Sequence, residues 1–345
     1  MSKIPNINKI SVQELKENSL VTFAEARLIP SPVKSTGGSK KKGNEPALTS
    51  VFLSGLRLVD EFHKDILKLL DMKDKGTLHF LTEVEFKQTK EEEKENTESS
   101  RFDGLILSET RTKKNGKNPK TIQIVDATIF EMKSCSDKID PIQIQKYINK
   151  AKELKIKRIV TISNEFTSSP KTPTILKHEL AGKIKLYHLA WTDILTIADL
   201  RIHKHLDEKN KSDDKKNISD SDQQYIMEEI YLFMDHPNSG VDRFKIMKGW
   251  NKTLFASISR KEIEKDNPEL NELIHSWKQE EQDLCQLLTR EMKQNVKLSK
   301  KYTSKKDEND FDLDIKQVLE KMILNTKLKI HSSLPEIEIE VDLKK

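Results

Sequence analysis

Three residues of the sequence have side-chain types and a spacing suited to phosphodiester hydrolysis: Asp103, Glu131 and Lys133. Glu131 and Lys133 are two positions apart in a run rich in β-branched and aromatic residues, so both side chains project from one face of a strand. Asp103 places a carboxylate within a second run of this kind, just ahead of Gly104. Because neighbouring strands lie about 4.8 Å apart, the two carboxylates can share a cation if the strands pair in register.

Two carboxylates beside an ammonium group favour metal-assisted chemistry. Mg²⁺ prefers oxygen ligands, keeps several waters and also binds substrate phosphates. It polarises a phosphoryl group and lowers the pKa of a bound water. A lysine beside it can orient that water and stabilise charge that develops on the phosphate oxygens. The pattern therefore predicts a Mg²⁺ or Mn²⁺ site at Asp103 and Glu131, with Lys133 as the assisting cation.

The elements that must position these residues alternate between helix and strand. Apolar residues at helical spacing predict one helix over residues 50–72, with a stop near Gly76. Asp140 and Pro141 have the residue types of an N-cap and a first helical position, which predicts a helix as far as about Leu154. Runs rich in β-branched and aromatic residues predict strands at 79–86, 101–108, 122–134, 157–166 and 183–191. This order, completed by a helix from Thr192, predicts an α/β domain with a mixed central sheet flanked by helices.

Charged segments and Pro-, Gly- and Ser-rich segments predict the domain organisation. The predicted parts are an N-terminal extension and flexible linker (1–47), the α/β domain (48–205), a linker (206–222), and a mainly helical C-terminal domain with a small β element (223–345). The alternating sequence EIEIEVDL near the end predicts a half-buried strand whose outward residues are Glu336, Glu338 and Glu340.

The motifs RFDG (101–104) and FEMKS (130–134) resemble those of the PD-(D/E)XK, or restriction-endonuclease-like, nuclease superfamily, in a bacterial branch. The signature of that superfamily is an acidic residue on one hairpin strand, followed by Glu-x-Lys on the next. Phe102 stands where the family usually has proline, which leaves the acidic residue intact. Gln143 and Tyr147 resemble the Gln-x-x-x-Tyr element of the exonuclease branch. The resemblance covers about residues 50–200.

This resemblance implies a restriction-endonuclease-like core and a metal-dependent deoxyribonuclease. Asp103 and Glu131 would bind the metal, and Lys133 would position the attacking water. Gln143 and Tyr147, which share one helical face, would contact the substrate strand or hold Lys133. Defence against foreign DNA is the setting that the analogy suggests.

Many members of this superfamily add a further upstream acidic residue. Glu83 is the favoured candidate for it, as a third metal ligand and catalytic residue. Glu85 on the same predicted strand and Glu61 on the preceding helix are the alternatives.

Other interpretations of the same patterns stay open. Glu-x-Lys alone most often marks a solvated strand face, and the nuclease fold also serves as an inactive module that binds nucleic acid or a protein. An RNA-directed nuclease is a further alternative. The basic segment 111–120 is either a solubilising hairpin tip or a phosphate contact, and Lys40–Lys42 is either a basic arm or an inert linker.

Net charge, apolar segments and cysteine spacing limit the remaining classes of protein and site. The net charge of +5 is too mild to indicate a nucleic-acid binder by itself. There is neither an apolar run of membrane-spanning length nor an apolar signal sequence at the start. Cys135 and Cys285 have no metal-ligand spacing. These observations predict a cytoplasmic protein with free thiols. The resemblance implies DNA as its partner, and the C-terminal domain would then recognise substrate, oligomerise or bind a protein.

Overall fold

The structure is a computed structural model that describes residues 6–17, 21–28, 45–86, 101–114, 117–167, 169–171, 184–211, 218–242, 250–299, 307–330 and 335–344. Its helices are α1 (Val12–Glu17), α2 (Glu45–Leu58), α3 (Asp60–Leu69), α4 (Pro141–Leu154), α5 (Trp191–Lys211), α6 (Ile218–Asp235), α7 (Lys252–Ser259), α8 (Pro268–Met292) and α9 (Asp307–Lys321). Its strands are β1 (Val21–Glu25), β2 (Thr77–Phe86), β3 (Arg101–Lys114), β4 (Lys117–Met132), β5 (Arg158–Ser163), β6 (Lys185–Ala190), β7 (Lys297–Leu298), β8 (Ile323–Lys329) and β9 (Ile337–Asp342).

A six-stranded mixed sheet with the order β1-β2-β3-β4-β5-β6 forms the centre of the α/β part. Strands β1 to β4 are antiparallel neighbours, whereas β5 and β6 run parallel to β4. Helix α4 connects β4 to β5, as a parallel crossover requires. The predicted mixed sheet flanked by helices is therefore confirmed. Part of the predicted N-terminal extension joins this sheet as edge strand β1.

Helices cover both faces of the sheet. One buried cluster contains side chains of α2, α3, α5 and α6, and the other contains side chains of α1 and α4. All six residues of β5 are buried, because this strand has packed layers above and below it. This position explains why Ile159 on one face and Val160 and Ile162 on the other are all apolar and buried.

One predicted helix differs in its bounds, and two predicted basic segments are described in part or not at all. The predicted helix over 50–72 is two helices, because Val59 has extended backbone (φ −122°, ψ 100°) between α2 and α3. In the basic segment 111–120, β3 continues as far as Lys114 and β4 begins at Lys117. The side chains of 112–121 lie outside the described part. Lys40–Lys42 also lies outside the described residues.

Helix α6 packs with the sheet although the sequence assigns residues from 223 onward to the C-terminal domain. Its Met227, Ile230 and Met234 are buried in the same cluster as α2 and α5. The predicted linker 206–222 contains the end of α5 and the beginning of α6, with 212–217 outside the described residues. An amphipathic pattern predicts the helix but does not specify which surface covers it.

The rest of the chain forms a smaller body of α7, α8 and α9 with an antiparallel sheet of order β7-β8-β9. Helix α8 joins this body to α5 through hydrogen bonds and an ion pair: Gln286 to Asp193 at 2.5 Å, Arg290 to Thr196 at 2.7 Å, and Lys293 to Asp199 at 2.8 Å. Within the described ranges, no helix has the length and apolar character needed to cross a membrane.

Gly104 allows helix α2 to pack closely on β3. A Cβ atom at this position would lie 2.9 Å from Leu53 Cδ1 and 3.2 Å from Phe130 Cβ. We expect Gly104→Val to lower the free energy of unfolding by about 1–3 kcal/mol, because these neighbours must shift. Urea denaturation measures the change, with half-buried Thr110→Val on the same strand as a control that retains stability. Equal stability of Gly104→Val and the wild type would contradict the close packing.

Candidate active site

The pairing of β3 with β4 brings the predicted acidic residues to one end of the hairpin. Gly104 is the register partner of Phe130, so Asp103 and Glu131 are the next residues on the two strands. The Met132 amide donates a hydrogen bond of 2.7 Å to Asp103 Oδ2. The Asp103 carboxylate therefore lies against the backbone between Glu131 and Lys133. On the other side of β4, Glu131 pairs in register with Thr161 of β5.

Glu131 is a fully buried carboxylate whose partner is the ammonium group of Lys133. Lys133 Nζ lies 2.6 Å from Glu131 Oε1, and the Glu131 side chain has 0% exposure. Apart from this ion pair, neither Glu131 oxygen has a well-formed hydrogen bond within the described residues, although the Asp103 carboxyl and the Tyr147 hydroxyl lie beside it. A buried anion with so few partners is energetically unfavourable, so the site favours an additional positive charge.

Burial and the neighbouring charged groups shift the pKa values of the side chains at the site. Burial and the adjacent Glu131 raise the pKa of Asp103 to about 8. Burial lowers the pKa of Lys133, but Glu131 outweighs it and the net shift is upward. Burial, with smaller contributions from Glu131 and Asp103, raises the pKa of Tyr147 above its usual range. Two neighbouring carboxylates that resist simultaneous ionisation would both be stabilised as anions by a bound cation.

Glu45 is an acidic residue at the site that sequence reasoning missed. It is the first residue of α2, and its Oε1 lies 3.5 Å from Lys133 Nζ. Burial raises the pKa of Glu45, and the charge of Lys133 opposes that shift. The sequence assigned Glu45 to a linker. The signal that could have found it is an acidic residue at the start of the helix that precedes the hairpin.

The three upstream acidic residues considered from sequence have other partners. Glu83 has a left-handed backbone (φ 53°), and its carboxylate pairs with Arg101 Nη1 at 2.8 Å. Glu85 is the register partner of Arg101, and Glu61 forms ion pairs with Lys64 and Arg201. The structure thus brings Glu45, rather than these residues, next to Lys133. The role of Glu83 stays a prediction.

Gln143 and Tyr147 fasten the beginning of β3. The Tyr147 hydroxyl donates to the Arg101 carbonyl at 2.6 Å and accepts from Gln143 Nε2 at 3.0 Å. The Tyr147 ring packs edge-on against Phe102, with ring centroids 4.7 Å apart. These contacts fix the backbone on the N-terminal side of Asp103. These contacts therefore position Asp103, and none of them involves Lys133.

The end of β4 is held by the neighbouring elements. The Lys133 amide donates to the Ile162 carbonyl at 2.8 Å, and Trp191 Nε1 donates to the Lys133 carbonyl at 2.8 Å. On β6, buried His188 Nε2 lies 2.8 Å from the Glu165 carbonyl. Its Nδ1 lies 2.9 Å from Thr161 Oγ1 of β5. Trp191 and His188 thus have a structural role at the ends of these strands.

His188 should make the stability of the protein sensitive to acid. Burial lowers its pKa from 6.5 to about 4, so the folded state binds this proton more weakly than the unfolded state. The stability that it contributes is present above pH about 6.5 and is lost as pH falls towards 4, by about 3 kcal/mol in total. We expect His188→Gln to show a smaller loss of unfolding free energy between pH 6.5 and 4 than the wild type, whatever its stability at pH 7. Urea denaturation across this range measures it, and parallel pH curves for the two proteins would contradict it.

The donor set fits a hard divalent cation held by two carboxylates. Among the described residues, no group of three or more His, Cys, Asp or Glu side chains is placed to hold a metal ion. Mg²⁺ in proteins commonly uses only one or two carboxylates and completes its coordination with water and substrate phosphates. The Glu131 oxygens without hydrogen bonds and the adjacent Asp103 carboxylate meet that requirement.

Comparison of the chain with protein-family models, curated proteins and solved structures finds no match.

Proposed function

We propose that this protein is a metal-dependent nuclease that hydrolyses phosphodiester bonds in DNA. The observation that carries the proposal is the pairing of half-buried Asp103 with fully buried Glu131 on adjacent strands, with Lys133 Nζ 2.6 Å from Glu131. Two adjacent carboxylates with one lysine carry an excess of negative charge when both are ionised, and a further cation would offset that cost. The two carboxylates can bind a divalent metal, and the metal and the Lys133 ammonium group can attract the anionic phosphate of a phosphodiester substrate.

The order of the elements supports a restriction-endonuclease-like core within the proposal. An antiparallel meander, β2-β3-β4, is followed by helix α4 and the parallel strand β5. The acidic residues lie at the open end of the β3-β4 hairpin, away from its turn. This arrangement agrees with the motif resemblance in RFDG and FEMKS.

Each residue has a chemical role in the proposed reaction. Asp103 and Glu131 would hold Mg²⁺ or Mn²⁺, which when bound polarises the phosphoryl group and lowers the pKa of a water. Lys133 stays protonated because Glu131 raises its pKa, so its ammonium group donates hydrogen bonds to the attacking water and to a phosphate oxygen. Glu45 of α2 also pairs with Lys133 and helps to orient its ammonium group. Gln143 and Tyr147 keep the start of β3, and thus Asp103, in place.

Cleavage assays on supercoiled plasmid and on single-stranded DNA test this proposal. Purified protein should cut at least one substrate with Mg²⁺ or Mn²⁺ and cut neither with EDTA. RNA of the same sequence as the single strand, added as competitor, tests the preference for DNA. Absence of cleavage with both metals on both substrates would refute the function.

A second candidate is an inactive nuclease-fold module that binds nucleic acid or a protein partner. The observation that favours it is the direct ion pair of Lys133 with Glu131, which engages a carboxylate that the first proposal assigns to a metal. This candidate predicts neither cleavage nor heat of Mn²⁺ binding in calorimetry, but retained binding of DNA or of a protein.

The identity of the additional acidic residue can be decided by two substitutions. We expect Glu45→Gln to lower kcat by about 10- to 100-fold, because Lys133 loses one of its two carboxylate partners. Glu83→Gln should keep kcat within about twofold of the wild type, since its partner is the exposed Arg101. Steady-state cleavage kinetics measure both. The reverse outcome would identify Glu83 as the additional acidic residue, as the sequence suggests.

A further inference from the structure

The loop that follows Lys133 has a strained backbone that other elements hold in place. Cys135 has a φ of +56°, a left-handed conformation that is unfavourable for a residue with a side chain. Both of its backbone polar groups are engaged: the Cys135 amide donates to the Gly240 carbonyl at 2.8 Å, and its carbonyl accepts from Asn164 Nδ2 at 2.8 Å. Strain of this kind persists only where the surroundings fix it.

Asn164 is the centre of this arrangement. It directly follows β5, and its Nδ2 also donates to the Gly240 carbonyl at 2.9 Å. Its Oδ1 accepts from the Asp242 amide at 3.0 Å. One side chain therefore joins three segments: the loop after β4, the end of β5 and the turn after α6.

The turn after α6 is itself braced. Ser239 is buried, its hydroxyl donates to the Met234 carbonyl at 2.7 Å, and the Val241 amide donates to the Ser239 hydroxyl at 3.0 Å. Gly240 has a φ of +89°, which only glycine adopts readily. The turn is thus a rigid support, anchored through α6 to the large core.

We propose that Asn164 is a positioning residue for Lys133. Its hydrogen bonds, together called the clamp, hold the loop after β4 against the turn after α6. This inference rests on the proposed nuclease function. Cys135 is only two residues beyond Lys133, whose amide and carbonyl are already fixed by Ile162 and Trp191. Loss of the clamp lets the loop relax from its strained conformation, and the relaxation shifts the end of the strand that carries Lys133. Small displacements of a catalytic group cause large losses of rate.

Cleavage kinetics of Asn164→Ala test the clamp. We expect kcat at saturating Mn²⁺ to fall about 10- to 100-fold while KM for DNA stays within about twofold. Asn164→Asp retains the acceptor for Asp242 but has no amide donor, so it should lose a similar factor. Gly240→Ala perturbs the clamp from its other side and should also lower kcat. Asn267→Ala, which removes the cap that accepts from the Glu269 and Leu270 amides of α8, is the matched control and should leave kcat unchanged.

Thiol labelling reports on the loop independently of catalysis. Cys135 lines an open cleft of about 840 Å³, whereas Cys285 is buried and burial raises its pKa to about 12. Asn164→Ala should label at Cys135 about tenfold faster than the wild type, because the loop loses the hydrogen bond to the Cys135 carbonyl and the turn that holds it loses two more. Cys285 in the same protein should remain unlabelled, which separates local opening from global unfolding.

The outcomes separate the two proposals. A wild-type enzyme that cleaves DNA, together with unchanged kcat or unchanged Cys135 labelling in folded Asn164→Ala, overturns the positioning role alone. A wild-type protein that does not cleave DNA under any condition overturns the nuclease function and the positioning role with it.

Discussion

Replacement of Glu131 by glutamine is expected to lower kcat for metal-dependent DNA cleavage by about a thousandfold. The amide removes a carboxylate that would hold the cation and weakens the attraction that places the Lys133 ammonium group. Quenched-flow or gel-based cleavage at saturating Mn²⁺ measures the effect, with circular dichroism to confirm folding.

Asp126→Asn is the matched control for this substitution. Asp126 lies on the same strand and pairs with Arg158 Nη1 at 3.2 Å, so its loss also breaks an ion pair of β4. It should leave kcat unchanged because it is remote from the Glu-x-Lys motif. Full activity of Glu131→Gln, or an equal loss in both variants, would show that Glu131 has no specific role in cleavage.

Asp103→Asn is expected to stabilise the metal-free protein while it removes cleavage. The pKa of Asp103 is about 8 in the folded protein against 3.8 for a free side chain, so the folded state binds this proton more tightly. Stability from this group is therefore fully present below pH about 4 and declines as pH rises to about 8. Asparagine resembles the protonated form and can still accept the hydrogen bond from Met132. At pH 8 with EDTA, we expect a gain in unfolding free energy on the order of 3 kcal/mol.

Metal binding should reverse this ranking. A cation that binds only the folded wild type stabilises it by mass action, so Mn²⁺ should raise the wild-type melting temperature and leave that of Asp103→Asn almost unchanged. Thermal denaturation with and without Mn²⁺ at pH 8 measures both effects. Lower stability of Asp103→Asn than of the wild type in EDTA would mean that the ionised Asp103 carboxylate does not destabilise the folded protein. The inference that the site favours a bound cation would then be wrong.

The hairpin and its motif were predictable because they depend on local alternation. Two positions on a strand share a face, so Glu131 and Lys133 could be placed together without knowledge of the fold. Asp103 required only that β3 and β4 be neighbours in register, which consecutive antiparallel strands commonly are.

Glu45 shows where this reasoning fails, and Glu83, whose role stays a prediction, shows an irregularity that it does not foresee. Alternation assumes a regular strand, but Glu83 has a left-handed backbone within β2, and only its neighbours Thr82 and Val84 pair with β3. Glu45 reaches Lys133 only because α2 packs across the sheet, through Leu53 against Gly104. A long-range contact of this kind has no local signature in the sequence.

Short or locally ambiguous elements were also beyond prediction. Strand β1 has five residues and is stabilised by its pairing with β2, not by its own pattern. The break at Val59 interrupts a run whose apolar spacing continues on both sides. Asn164 acts through backbone groups of Cys135, Gly240 and Asp242, which carry no side-chain signal.

The central claim is that the carboxylates of Asp103 and Glu131 form a metal site beside Lys133. Crystals soaked with Mn²⁺ test it directly through anomalous scattering. We predict one anomalous peak within about 2.0–2.4 Å of an oxygen of each carboxylate, absent in crystals of Asp103→Asn. Crystals with Mn²⁺ bound elsewhere, and with Glu131 still paired only to Lys133, would contradict the claim.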